Sequence, residues 1–176
     1  MRRFEAVCLL CLAGIMKRDG AKEDALAAAR AAWQLCEEFS PRFAGPSALV
    51  LIASMVESAD ERRQTLAAAE RLLAEGCIGH THLEFYPMAI DVALERREWS
   101  EAERYANALE DYARAEPLPW SDFHVARARA LATAGRGFAD RAALEASREA
   151  ALALGYAGAV PALDEALRIA QPQSFA

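Results

Sequence analysis

The chain has 176 residues, of which 54% are hydrophobic and 26% charged, with a formal net charge of -6. That is enough apolar material for a real core and too much for a disordered segment. Lys and Arg are interleaved with Asp and Glu rather than clustered, so the chain offers no cationic face to a phosphate backbone, and no nucleic-acid partner is expected.

Alanine inflates the hydrophobic share while aromatic residues make up only 8%, a balance that favours helices packed through small side chains over any sheet. Four cysteines, at positions 8, 11, 36 and 77, lie in apolar settings and do not read as a disulfide framework. A reducing, cytoplasmic setting is the expectation. Arg2 and Arg3 ahead of the apolar run from Val7 to Met16 have the look of a secretory signal. Glu5 near the start, the continuation into Lys17, Arg18 and Asp19, and the lack of a small-residue cleavage site favour an ordinary helix instead. The run is too short to span a bilayer, and no membrane association is expected.

In chain order, Phe4, Val7, Cys8, Cys11, Leu12 and Ile15 share one stripe and predict a first helix whose apolar face enters the core. Asp19-Gly20 breaks it. Leu26, Ala29, Trp33 and Cys36 predict a second helix that stops near Ser40-Pro41. A third follows Gly45-Pro46 on Ala48, Leu51, Ile52, Met55 and Val56. Ser58 with Glu61 has capping-box spacing for a fourth, which stops at Gly76. Thr81 with Glu84 and Ser100 with Glu103 are two more such boxes, opening a fifth helix on Phe85, Met88, Ala89, Val92 and Ala93 and a sixth on Ala102, Tyr105, Ala106, Leu109 and Tyr112. Pro117-Leu118-Pro119 ends the sixth. Phe123, Ala126, Ala130 and Ala134 predict a seventh, the Gly135-Arg136-Gly137 turn follows, and Ala143, Ser147, Ala150 and Leu154 predict an eighth. A ninth runs from about Val160 to Ile169, ahead of a flexible tail over 171–176.

Aligning the helix pairs on the small residue early in each second helix picks out Ala25, Thr65, Ala102 and Ala142, a unit of about forty residues. One helical hairpin cannot bury its apolar stripe alone, whereas hairpins stacked side by side bury all of them. The expected fold is therefore all-α: tetratricopeptide-like antiparallel helix-pair repeats stacked as a right-handed superhelix, an α-α solenoid. One domain is expected over 1–170, about four pairs plus a terminal helix.

In the third pair Tyr86 stands in the first aromatic slot of that repeat, Trp99 in the aromatic slot opening the second helix, Ala102 in the small-residue slot and Pro117 just after the hairpin, while Arg97 replaces the usual glycine. More narrowly, residues 76–86 (Gly-Cys-Ile-Gly-His-Thr-His-Leu-Glu-Phe-Tyr), 98–106 (Glu-Trp-Ser-Glu-Ala-Glu-Arg-Tyr-Ala) and 116–123 (Glu-Pro-Leu-Pro-Trp-Ser-Asp-Phe) resemble helical-repeat tails of bacterial multidomain proteins that join an adenylate/guanylate cyclase domain to an ATPase domain. The resemblance covers roughly residues 45–155 and implies a regulatory or scaffolding tail in signal transduction. The catalytic parts of that family, a phosphate-binding glycine loop ending in Lys-Ser or Lys-Thr and a metal-holding aspartate pair, are not in the sequence.

Cys8 and Cys11 have redox-pair or metal-pair spacing, but no matching second pair follows, so they are read as core packing. His80, His82 and His124 are conceivable as a metal set, yet two histidines two apart on a helix point different ways, and no metal or other cofactor is expected. The paired carboxylates read as solvated helix ends, and the segment Glu-Pro-Leu-Pro-Trp at 116–120 as a stop between helices. With no nucleophile elbow or catalytic triad spacing, the chain reads as a non-enzyme: a protein-protein interaction module, whose partner is a protein, a peptide or a neighbouring domain of a larger chain. Glu84, Asp91, His124 and Arg127 are the candidate groove residues for that partner. The competing reading is a small-ligand sensor with an aromatic pocket of Phe85, Tyr86, Trp120 and Phe123. An uncapped apolar first helix also points either to self-association through the N-terminal helices or to further repeats upstream. If Ala102 sits at a close helix contact, Ala102→Leu overpacks it and costs about 1 to 3 kcal/mol in chemical denaturation. Wild-type stability in that variant counts against the contact.

Overall fold

The computed structural model describes residues 2–170, the side chain of Arg3 excepted, so the expected tail at 171–176 lies outside the described residues. Those residues form α1 (Arg2–Arg18), α2 (Lys22–Phe39), α3 (Pro41–Ala53), α4 (Ala59–Ala74), α5 (Gly79–Glu95), α6 (Trp99–Ala113), α7 (Pro119–Gly135), α8 (Arg141–Ala153), a 3-10 turn (Ala157–Ala159) and α9 (Val160–Ile169). Among the described residues there is no strand, as the alanine-rich, aromatic-poor composition leads one to expect. The chain divides into two compact units, Met1–Met88 and Ala89–Ala176.

Helix boundaries follow local chemistry, with instructive exceptions. Ser40 is extended, and Pro41 opens α3 at a first-turn position, where its missing N–H is no loss. The third helix thus starts before Gly45-Pro46 and takes both residues into its interior. Pro46 forfeits one intrahelical hydrogen bond, which burial outweighs: all ten residues from Ala44 to Ala53 are buried. Ser58 caps α4 as expected, accepting from the Glu61 amide at 3.3 Å. The other two expected boxes do not form. Helix α5 begins at Gly79, so Thr81 is already inside it, fully buried and donating to the Phe43 carbonyl at 3.2 Å. Helix α6 begins at Trp99, and the Glu103 carboxylate is held by Arg136 at 2.6 and 2.7 Å. An unforeseen cap, Asp140, accepts from the Ala143 amide at 3.1 Å and opens α8.

In the first unit α1 packs on α2 and α3, α2 on α3, and α3 on α4. Its core joins Ala13, Ala25 and Ala29 to Leu51, Ile52, Met55 and Val56. The α1 stripe expected to enter this core mostly does not. Ala6 and Ala13 are buried, with Leu10 and Met16 partly so, while Phe4, Cys8, Cys11, Leu12 and Ile15 are exposed. The helix is apolar on two faces, and the narrower, alanine-bearing face lets α2 and α3 approach most closely. Cys8 and Cys11 are therefore not core cysteines.

In the second unit α6 packs on α7, α7 on α8 and α9, and α8 on α9. Helices α6 and α7 run antiparallel, since Arg129 binds Asn107 and Glu110 while Arg136, a turn and a half to two turns further on, binds Glu103. Gly135 is more than a turn residue: a Cβ there would meet the Trp99 ring at 2.4 Å, so glycine is what lets the indole lie across the end of α7. Of the expected α8 stripe Ser147 is buried, but Leu144 and Ala151, each one residue on from Ala143 and Ala150, take the other buried places. Likewise Ala25 and Ala102 are fully buried, but Thr65 is half-buried and Ala142 exposed, so the aligned small-residue register fails in α4 and α8. Leucine buries more apolar area than alanine, and Leu66 and Leu144 decide which face turns inward.

The turn between α5 and α6 puts Arg97 at φ +58, the left-handed conformation that Gly20, Gly76, Gly137 and Gly155 adopt elsewhere. A side chain there costs about 1 to 2 kcal/mol, and glycine returns about 0.5 to 1 kcal/mol of that to chain entropy. Arg97→Gly is therefore expected to raise unfolding stability by about 0.5 to 1 kcal/mol, and Gly76→Ala to lower it by about 1 kcal/mol, as read from urea midpoints.

Candidate functional site

Alternate helices are stitched side by side by polar and aromatic contacts. In the first unit Ser47 on α3 donates to Glu84 on α5 at 2.7 Å, across 37 residues, and the Thr81 to Phe43 bond spans 38. The Phe43 ring meets Phe4 on one side at 6.2 Å and His80 on the other at 6.1 Å, both edge-on. In the second unit Arg127 on α7 pairs with Asp91 on α5, across 36 residues, and the Trp120 indole N–H donates to the Tyr156 hydroxyl, also across 36.

The second unit gathers the densest such cluster. His124 lies 4.7 Å from Trp120, 5.1 Å from Phe123 and 5.3 Å from Tyr156, and Phe123 stacks on Tyr156 at 5.4 Å. Helix α7 sets the first three rings, at i, i+3 and i+4, on one face, and the turn after α8 supplies the tyrosine. Burial, aided by the Arg127 charge, pushes the His124 imidazole down to about 3, so it is neutral near pH 7. Neither ring nitrogen has a hydrogen-bond partner, and the buried Ser121 hydroxyl one turn earlier has none either. An imidazole held that far below neutrality is a poor general acid or base. Arg127, whose side chain is 8% exposed, pairs with Asp91 and lies over the face of Phe123 at 5.7 Å.

The four candidate groove residues thus separate by burial. Glu84 is exposed and Asp91 half-exposed, while His124 and Arg127 are buried and act as supports. Of the four candidate pocket aromatics, Phe85 and Phe123 are buried core residues, and Tyr86 and Trp120 are half-buried. Tyr156 was not legible as a site residue, although it falls one repeat length after Trp120. The concavity the second unit does offer is a groove of about 440 Å³ between α7 and α8, lined by Phe123, one of those four aromatics, together with Ala126, Ala130, Ala143 and Ala146, and by Arg129 and Asp140.

His80 and His82, both in the first turn of α5, face different rings, Phe43 and Tyr86. Among the described residues no three or more His, Cys, Asp or Glu side chains gather as a metal set. Burial raises the Cys36 thiol to about 11, which leaves it unreactive, and pushes the Cys77 thiol upward as well. No helix among the described residues is long and apolar enough to cross a membrane.

Compared with known proteins, the chain matches no family model, no curated protein by sequence and no solved structure by fold.

Because the folded chain holds His124 neutral while the unfolded chain protonates it near 6.5, the unfolded state binds the extra proton at any pH between that value and about 3. Stability is then lost as pH falls through this window, by at most about 1.4 kcal/mol per pH unit. His124→Phe is expected to flatten the pH dependence of urea unfolding between about pH 6.5 and 4 relative to wild type. Parallel curves would show that His124 is protonated in the fold.

Proposed function

We propose that the chain is a non-catalytic helical-repeat module that binds a protein or peptide, its helix pairs stacked as a tetratricopeptide-like right-handed solenoid. The observation that carries this reading is the recurrence of contacts at 36 to 38 residues within each unit, three of them between alternate helices and one from α7 to the turn after α8, through chemically different pairs. A recurrence indifferent to side-chain chemistry is what repetition of one helix-pair unit produces, and the length is close to the roughly 34 residues of the tetratricopeptide repeat. Such modules act through surface, not through chemistry. The lack of an activated nucleophile or tuned acid–base pair around the neutral, unpartnered His124 fits that role.

In this reading the solvent-facing carboxylates of Glu84 and Asp91 are contact groups, each anchored from behind by a hydrogen-bonding neighbour, Ser47 and Arg127 respectively. A preset carboxylate loses less entropy on pairing with a basic group of the partner. The resemblance of 76–86, 98–106 and 116–123 to the tails of cyclase and ATPase signalling proteins supports a partner in the same larger chain or complex. These segments fall at the openings of α5, α6 and α7. The second reading, a small-ligand sensor, draws on the groove between α7 and α8, whose size is within the range of ligand sites and whose lining includes Phe123 but is otherwise mostly alanine.

Glu84→Lys and Asp91→Asn, made separately, are each expected to weaken capture of a co-purified protein or peptide partner about tenfold or more while leaving the helical circular dichroism intact. A metabolite library is expected to leave the melting temperature unchanged. A metabolite that stabilises the fold by about 2.7 kcal/mol at a hundredfold excess over its Kd would overturn the reading in favour of ligand sensing.

A further inference from the structure

Cys8 and Cys11 stand three residues apart in the middle of α1, and the helix turns both outward, exposed and with free thiols. Side chains at that spacing are neighbours on a helix, with Cβ atoms about 5 to 6 Å apart. A disulfide takes Cβ atoms about 3.5 to 4.5 Å apart, so the regular helix keeps these two sulfurs from bonding to each other. One metal ion between them fits the spacing. Two metal–sulfur bonds of about 2.3 Å in line span about 4.6 Å, which sulfurs one bond out from those Cβ atoms reach by side-chain rotation alone.

The number and kind of donors select the ion. Among the described residues no third His, Cys, Asp or Glu side chain joins the two thiols as a metal set. Glu5, the nearest acid in the chain, is six residues from Cys11, and Phe4, Val7, Leu12 and Ile15, each four residues from one of the two cysteines, are apolar. Structural zinc takes four protein ligands and iron–sulfur clusters four thiolates. Two thiolates with no further donor suit a soft ion that is content with two-coordination, and among the metals that thiolates select, copper(I) is that ion.

We propose that Cys8 and Cys11 of one chain together hold a single copper(I) ion between their two sulfurs. On binding, each thiol gives up its proton and each thiolate bonds to the ion, so two protons go to solvent and the complex carries one net negative charge. No oxidant or reductant takes part. Helix α1 is fixed to α2 and α3 through its other face, where Ala6 and Ala13 are buried, so the spacing of the thiols is set before the ion arrives.

Anaerobic titration of the full chain with copper(I), in competition with the chromophoric chelator bicinchoninate, tests this. Wild type is expected to take one ion per chain at least about a hundredfold more tightly than Cys8→Ser or Cys11→Ser, because two tethered donors gain avidity of that order over one. Cys36 and Cys77 are present in all three chains, so their contribution is common to them. A further variant moves a thiol instead of removing it. Gly14→Cys in the Cys11→Ser chain restores the number of cysteines, and a Cβ at Gly14 meets nothing within 4 Å. That thiol stands about 9 Å along the helix from Cys8, too far to share an ion, and this chain is expected to bind as weakly as the single variants with unchanged circular dichroism. Single variants within about threefold of wild type, or tight binding restored by the moved thiol, overturn the paired site. One ion taken per two chains overturns its confinement to a single helix.

Discussion

The sideways contact between alternate helices is the constraint on which each unit rests. A helical hairpin of this composition has little apolar bulk to bury by itself: α2 contributes Ala25, Ala29, Ala32 and Cys36 to the interior, and no larger side chain of that helix is fully covered. What gives the units depth is α3, buried along ten consecutive residues, and α7, which buries Ser121, His124 and Arg127 along with its apolar residues. Helices covered on that many sides need neighbours on either flank as well as their hairpin partner. The bonds that set those flanks, Ser47 to Glu84 and Arg127 to Asp91, are specific in partner and repeated in spacing.

Close approach through small residues explains the other peculiarities. Alanine and glycine let helix axes draw together, and the large rings then fill what remains: Trp33 lies against Gly45, and Trp99 against Gly135. The same economy leaves polar groups inside. His124 and Ser121 stay buried without hydrogen bonds because the surrounding Trp120, Phe123 and Tyr156 rings occupy the space, and the imidazole remains neutral as a result. The same packing pins two solvent-facing carboxylates from behind, Glu84 by Ser47 and Asp91 by Arg127.

The amphipathic pattern made most helices legible, and breakers such as Gly76 and Pro119 marked their limits well. It failed where a helix is apolar on more than one face. Nothing in the order of residues along α1 says whether Ala6, Leu10 and Ala13 or Phe4, Cys8 and Ile15 turn inward, because both sets are at helical spacing. It failed again at Thr81 and Ser100, whose capping-box spacing is real but whose helices start two and one residues earlier. The candidate site fared similarly. Residue type marked Asp91, His124 and Arg127, but polarity alone does not separate a surface contact from a buried support, and Tyr156 sat beyond any local pattern.

Composition and periodicity by themselves thus determined that this protein is built of helices and roughly where each begins and ends, because these depend on interactions within a few residues. Which face of α1, α4 and α8 is inside, which charges are shielded and which thiols are open were decided only by tertiary packing. The reason is physical: burial is a competition between faces for the closest fit to distant neighbours, and a run of alanines leaves that competition undecided until the neighbours are in place.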